Sequence, residues 1–399
     1  MKQLRFKQDN GKEFPEPEEM TLGDISERVR RKATADSSAP VMMISAGNGF
    51  IYQKDRYSRD NAGTSLKNYT LLKKGELAYN HGYSKIRNFG SCFVLDAEDE
   101  ARVPYVYHTF CMPNDNSAYF GEYLNCGLFD GVLKGLVSSS VRMDGLLNIS
   151  YDDYMSLNIL RPTKEEQDKV ASFLSLYDQK IENHIAKVEA LELRRKGILQ
   201  QIFSQELRFR DDNGEDFPEW ESYAMGDLFK ERKSKAKGGE ELLSVTIANG
   251  VIRQSDSDKR DNSSEDKSNY KQVMKGDMAY NTMRMWQGAV GVSYWDGIVS
   301  PAYTIIIPEK GVNAEFLMLL FKTYDALKLF TIYSQGMSSD QWNLKFEIFS
   351  DLEFDIPCTK EQAKIVELFK LLDKQIKIEK EKLEAIKLVK KGLLQQMFV

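Results

Sequence analysis

Three segments of the chain recur, in order, at nearly one offset. Residues 4–16 (LRFKQDNGKEFPE) and 207–219 (LRFRDDNGEDFPE) share nine of thirteen positions at an offset of 203. Residues 68–80 (NYTLLKKGELAYN) and 269–281 (NYKQVMKGDMAYN) share seven of thirteen at 201, and residues 162–203 and 357–398 share 17 of 42 at 195. A period of about 200 residues is far too long for a solenoid. The chain is one domain-sized unit written twice, and any fold must accommodate two copies of it.

Each copy changes character at a proline. Residues 1–161 and 204–356 carry scattered aromatics, Gly, Asn and Ser with short apolar runs such as Tyr303 to Ile307, the pattern of short strands joined by turns. Some helix is expected there, for instance from Ala314 to Phe330. Residues 162–203 and 357–399 hold almost no Gly and are rich in Leu, Ile, Glu, Lys and Gln. Capping boxes at Thr163-x-x-Glu166 and Thr359-x-x-Gln362 announce two helices of about 40 residues, roughly 60 Å long. Their apolar positions step by four and three. One seam runs Tyr177, Ile181, His184, Val188, Leu191, Arg195, Ile198, Ile202; the other runs Leu372, Ile376, Glu379, Leu383, Ile386, Lys390, Leu393, Met397. Such heptad spacing predicts a coiled coil, with two separately packed amphipathic helices as the alternative.

Composition narrows the class. With 55 Lys and Arg against 60 Asp and Glu the net charge is -5, which argues against a non-specific nucleic-acid coat. No window approaches the roughly 18 apolar residues that cross a bilayer, and the first residues lack the apolar core of a secretory signal. Four cysteines (Cys92, Cys111, Cys126, Cys358) make no disulfide framework and suit a reducing cytoplasm. The usual catalytic signatures are missing: no Asn/Asp-Pro-Pro-Tyr/Phe run and no phosphate-cradling loop. His108-x-x-Cys111 with Cys126 lacks a fourth ligand, so these read as core residues rather than a zinc site. Asp351, Glu353 and Asp355, with Lys360 nearby, read as a solvated strand face rather than a nuclease centre. A binding protein without chemistry of its own is expected.

This organisation resembles the specificity subunit of Type I restriction–modification enzymes. The resemblance rests on two variable regions, each followed by a long helix opening Pro-Thr-Lys-Glu-Glu-Gln or Pro-Cys-Thr-Lys-Glu-Gln. It rests also on the runs at 74–80 and 275–281, and on the helix ends at 196–201 and 391–396. It implies an α+β fold: two target-recognition domains (1–161 and 204–356) related by a pseudo-two-fold and separated by an antiparallel coiled coil of the helices in 162–203 and 357–399. It further implies a non-catalytic subunit that reads a bipartite, asymmetric target in double-stranded DNA. Two methylation subunits and, in the full complex, restriction subunits would be its partners. No cofactor would bind this chain, S-adenosylmethionine and ATP with Mg belonging to the partners. A specificity subunit of a methylation-only system, a coiled-coil scaffold that reads no DNA, and an enzyme with an unfamiliar site are the alternatives.

Base edges are read by Arg or Lys on guanine and by Asn or Gln on adenine. After the shared Asn80 the first copy carries His81, Tyr83, Lys85 and Arg87; after the shared Asn281 the second carries Arg284, Trp286 and Gln287. The two runs occupy one place in the duplicated unit and differ in chemistry, as two half-site readers would. Lys54, Arg56 and Arg59, with Arg253, Lys259 and Arg260, form a second candidate pair of loops. Arg142, Gln341 and Trp342 precede the helices. Residues 204–356 carry a net -8 and residues 1–161 a net -1, so DNA binding by the chain alone is expected to be weak.

Two further expectations concern geometry. The end of the second helix followed by Met1 would recreate the junction that joins Phe203 to Leu207, so Leu4 should lie beside that helix end. Polar residues interrupt both seams at equivalent places. Setting Arg195 opposite Glu379 sets His184 opposite Lys390 and matches every apolar seam residue with an apolar one.

Overall fold

The computed structural model describes residues 4–34, 37–56, 68–82, 84, 86–137, 147–257, 261, 263–338 and 341–398. The chain divides into two units, Met1–Ile185 with Glu381–Val399, and Ala186–Lys380.

The first unit opens with Glu18–Thr21 paired antiparallel to Asn158–Arg161. A four-stranded sheet follows in the order Glu27–Arg28, His108–Cys111, Leu77–Asn80, Ser91–Val94. Beside it stand the hairpin Met42–Ser45/Gly49–Tyr52 and the ribbon Thr70–Lys73/Glu100–Val103. The second unit repeats this strand for strand. Glu221–Ala224 pairs with Glu353–Ile356, and its sheet runs Phe229–Glu231, Tyr303–Pro308, Met278–Asn281, Val290–Val292. The hairpin Leu243–Thr246/Gly250–Arg253 and the ribbon Lys271–Val273/Gly297–Val299 complete it. The duplication read in the sequence is therefore a duplication of topology.

Strands of two to six residues cannot bury much alone, so each sheet packs on helices. In the first unit, Leu77, Tyr79 and Phe110 join Phe120, Tyr154 and Leu174 in one buried cluster. In the second, Met278, Tyr280 and Ile306 join Phe316, Phe330, Phe349 and Phe369. The helix expected from Ala314 to Phe330 is two helices, Ala314–Leu320 and Tyr324–Tyr333. Thr323 causes the break: its hydroxyl accepts from the Ala326 amide at 3.3 Å and starts a new helix.

The long helices span Lys164–Phe203 and Thr359–Met397. Their starts differ from the expected capping boxes. Thr163 caps the Glu166 amide at 3.4 Å, but Glu166 turns away to Arg5 (2.9 and 3.0 Å). The second helix begins at Thr359 itself, and Gln362 donates from its amide to Cys358 O at 3.0 Å. The shared device is a glutamine tether: Gln167 Nε2 donates to Pro162 O at 2.9 Å, and Gln362 Nε2 to Pro357 O at 2.8 Å. Arg208 repeats the Arg5 clamp on the buried Glu361 at 3.0 Å.

Leu4 N donates to Gln396 O at 2.9 Å, and Leu207 N to Gln201 O at 3.0 Å. The first unit is thus closed by the last residues of the chain in the way the second is closed by a continuous helix. Met1 and Val399 lie outside the described residues.

Where the long helices pack within each unit they run antiparallel, but the expected register is corrected. Arg195 pairs with Asp373 (2.5 Å), not with Glu379, which lies six residues further on, about 9 Å along the axis. Glu379 is buried and pairs with Lys187 at 3.1 Å. Lys390 pairs with Asp178 at 2.6 Å and Glu122 at 2.7 Å, not with His184, which is half-buried. The reason is geometric. Long side chains in a seam reach the positions flanking the partner's seam, where part of the charge stays solvated and desolvation is smaller.

Candidate nucleic-acid interface

The site grows from the shared Lys-Gly-acid-x-Ala-Tyr-Asn run. Its acidic residue is structural. Asp277 accepts from the Met274 amide at 2.8 Å and takes Arg232 in a two-point pair at 2.6 and 3.0 Å. Glu76 likewise accepts from the Lys73 amide at 2.8 Å and pairs with Arg31, through a single guanidinium nitrogen. Ala78 and Ala279 have no exposed surface, and Tyr79 and Tyr280 are buried. The closing asparagines end the strand: Asn80 Oδ1 accepts from Gly82 N and Asn281 Oδ1 from Met283 N, both at 3.0 Å. These side chains shape the turn into the loop, a local role that Asn performs well. The run is the pedestal on which the divergent loops stand.

In the first unit, His81 is buried. Its Nδ1 lies 2.7 Å from Leu147 O and its Nε2 3.0 Å from Val106 O, and its ring stacks on His108 at 4.8 Å. The Leu147 amide donates back to His81 O at 2.8 Å. His81 therefore fastens Leu147 to the end of the central strand rather than facing solvent. Arg87 is half-buried and donates to Asn125 O. Tyr83, Lys85 and Arg142 lie outside the described residues.

In the second unit Thr282 takes the place of His81. Its hydroxyl donates to Ala302 O at 2.8 Å, and Leu344 N donates to Thr282 O at 2.9 Å. The same two tethers are kept with different side chains. Met285–Gln287 forms a single 3₁₀ turn closed by Gly288 at φ +80°, a left-handed cap that glycine adopts without strain. Met285 is the buried anchor of the turn. Arg284 is exposed and donates to Gln287 Oε1 at 3.1 Å. Trp286 Nε1 donates to Met283 O at 3.1 Å, and its ring meets Trp342 edge to face at 5.1 Å. Two stretches singled out separately in the sequence, 284–287 and 341–342, thus come together here. Gln341 is exposed beside them.

The other candidate pair is less uniform. Lys54 and Arg56 are exposed on the short helix Gln53–Arg56, with Lys54 Nζ 5.1 Å from the Tyr52 ring. Arg253 is half-buried, paired with Glu241 at 3.3 Å and 5.5 Å from the Trp295 ring. Arg59, Lys259 and Arg260 lie outside the described residues. Sequence reasoning missed Met283 and Met337, exposed apolar side chains of the second unit, because it sought hydrogen-bonding types. Among the described residues no group of His, Cys, Asp and Glu is placed to hold a metal ion, and His108 Nε2 faces Ile149 O at 2.9 Å. Nor is any described helix long and apolar enough to cross a membrane.

Comparison with known proteins places this geometry. Residues 218–388 match the family model described as Type I restriction modification DNA specificity domain. The crystal structure of a Type-I restriction-modification system S subunit from M. genitalium aligns at a TM-score of 0.54 and 13% identity, over 100% of this chain and 99% of that one. A chain from work on complex assembly and conformational transition of the type I R-M system aligns at 0.56 and 12%, over 96% and 98%. No curated protein sequence matches the chain. Residues 218–388 thus match the Type I specificity domain, the first unit repeats the strand topology of the second, and the chain shares its fold with Type I S subunits.

Proposed function

We propose that this chain is a non-catalytic subunit that reads a bipartite, asymmetric DNA target, each unit reading one half, in the cytoplasm and with no cofactor of its own. The observation that carries the reading is a shared pedestal under unlike loops. Leu147 N to His81 O and Leu344 N to Thr282 O are equivalent bonds, yet the residues between Asn80 and Arg87 and those between Asn281 and Gly288 are identical at no position. Arg284, Gln287, Gln341 and the tryptophan pair are the contacts proposed for the second half-target, Arg87, Lys54 and Arg56 for the first. Asn80, His81 and Asn281 support the loops from beneath.

Recruitment of two methylation subunits, and of restriction subunits in a full complex, belongs to the same proposal. S-adenosylmethionine and ATP with Mg would be bound by those partners. It is supported by a duplicated helical surface. Leu193 and Leu388 are 72% and 70% exposed at equivalent positions, each one turn before a glycine, Gly197 and Gly392. An added Cβ at either glycine would meet nothing within 4 Å, so no internal packing requires them. A helix-interior glycine costs about 1 kcal/mol relative to alanine, and its presence in both copies fits close approach by two copies of one partner.

Co-purification of the native protein tests the reading. An adenine methyltransferase should accompany it, and modified adenines across the genome should vanish when the chain is deleted. The chain alone should bind DNA weakly, since its second unit is acidic; a nanomolar shift at physiological salt without a partner would contradict this.

A further inference from the structure

The second unit sets an apolar patch beside its proposed reading loop. Met337 is 95% exposed, the highest value among the exposed large apolar side chains of the described residues. It follows Gly336, whose φ of +147° and close approach to the Gln341 carbonyl and Trp342 amide leave no room for a side chain. A Cβ there would come within 2.6 Å of Gln341 O. Backbone bonds join Gln335 to Asn343 (3.1 and 2.9 Å), and Leu344 N donates to Thr282 O. Met337 therefore follows a residue whose backbone lies against that of Trp342, and Trp342 meets Trp286, whose indole donates to Met283 O. Met283 is itself 43% exposed.

Exposed methionine costs solubility and contributes nothing to this unit's core. The same unit carries a net -8 over residues 204–356, so it cannot hold DNA mainly through phosphates. An acidic reader must draw more of its affinity from contacts that do not need positive charge. Apolar insertion between bases is such a contact: Met, Leu, Ile and Phe wedges partly unstack a base step, and neighbouring aromatic rings receive the exposed base faces.

We propose that Met337, exposed in the same unit as the Trp286–Trp342 pair, inserts at a base step of the second half-target. The proposal rests on the DNA-reading function above and names the contact by which the second unit performs it. Insertion also predicts selectivity for an easily unstacked pyrimidine–purine step at that place.

The test uses the complex of this chain with its methylation subunit on a duplex carrying the mapped target. 2-Aminopurine is placed in turn at each purine of the second half-target other than the methylated adenine. Binding should raise its fluorescence at one step. Met337→Ala should abolish that rise and weaken binding about tenfold, the scale of one lost base contact, while Met337→Leu should keep both. Met337 touches solvent, so an unchanged melting temperature of Met337→Ala excludes misfolding as the cause. Sequence-specific binding with no rise at any step, or with unchanged affinity in Met337→Ala, would overturn the wedge and leave the reading function standing. A complex that binds no particular sequence would overturn both.

Discussion

The two units keep one set of strands and fill it differently. Behind the central strand of the first unit, Tyr79 stacks on Tyr154 at 3.8 Å, and His81 stacks on His108 at 4.8 Å. In the second unit Tyr280 meets Phe349 at 5.3 Å, and Thr304 and Thr282 replace the histidines. The backbone bond from Leu147 N to His81 O in the first unit is matched by that from Leu344 N to Thr282 O in the second. What the comparison teaches is a division of labour. Hydrogen-bonded backbone and small buried groups hold the frame, so side chains around the loops can diverge without moving it.

Exchanging residues 1–161 for the corresponding domain of a structurally similar S subunit gives the largest expected effect: a complete change of one half-target with the other untouched. Methylation mapping reads it, and a change in both halves would break the modular comparison.

Next come the pedestal ion pairs, which should differ between units. The Arg232 side chain is 23% exposed and Asp277 lies buried, whereas Arg31 opposite Glu76 is 41% exposed. Asp277→Asn should cost about 3 kcal/mol, because a largely desolvated guanidinium loses its countercharge, and Glu76→Gln about 1 kcal/mol. Urea denaturation distinguishes them.

The third expectation concerns pH. Burial pushes His108 down to about 4, outweighing its bond to Ile149 O, with His81 and Arg28 adding to the depression. Below the unfolded histidine value of about 6.5 the unfolded chain takes up a proton that the folded one refuses. The stability of the first unit is therefore full above pH 6.5 and falls towards pH 4, by up to about 3 kcal/mol. Thr304 gives the second unit no such loss. Trp220, Trp286, Trp295 and Trp342 are the chain's four tryptophans, all in the second unit, so their fluorescence follows it alone. Hydrogen exchange across residues 77–111 follows the first. His108→Thr should flatten its pH slope; an unchanged slope would assign the loss elsewhere.

The smallest effect sharpens the helix register. A double-mutant cycle on Arg195 and Asp373 should give a coupling below about 1 kcal/mol, as expected of a partly exposed pair, and a cycle on Arg195 and Glu379 none.

Much of the frame was legible in the sequence. The offsets of 203, 201 and 195 revealed two copies, and the helices, the strand at Tyr303 and the junction at Leu4 followed from periodicity and from the repeat. These features depend on local pattern and on chain continuity, which a sequence records directly. The break at Thr323 was not legible, because an apolar run gives no sign of where a hydroxyl will start a new helix. Nor was the role of His81, whose polarity suggested a reader and whose two carbonyl partners lie 25 and 66 residues away. The register of the long helices followed the same logic. Heptad spacing determined which faces meet, but the polar seam residues found partners at flanking positions, a choice made by side-chain length and solvation. Hydrophobic pattern is one-dimensional and survives in the sequence; the pairing of buried polar groups depends on which backbone atoms tertiary packing brings within about 3 Å, and only the folded structure decides that.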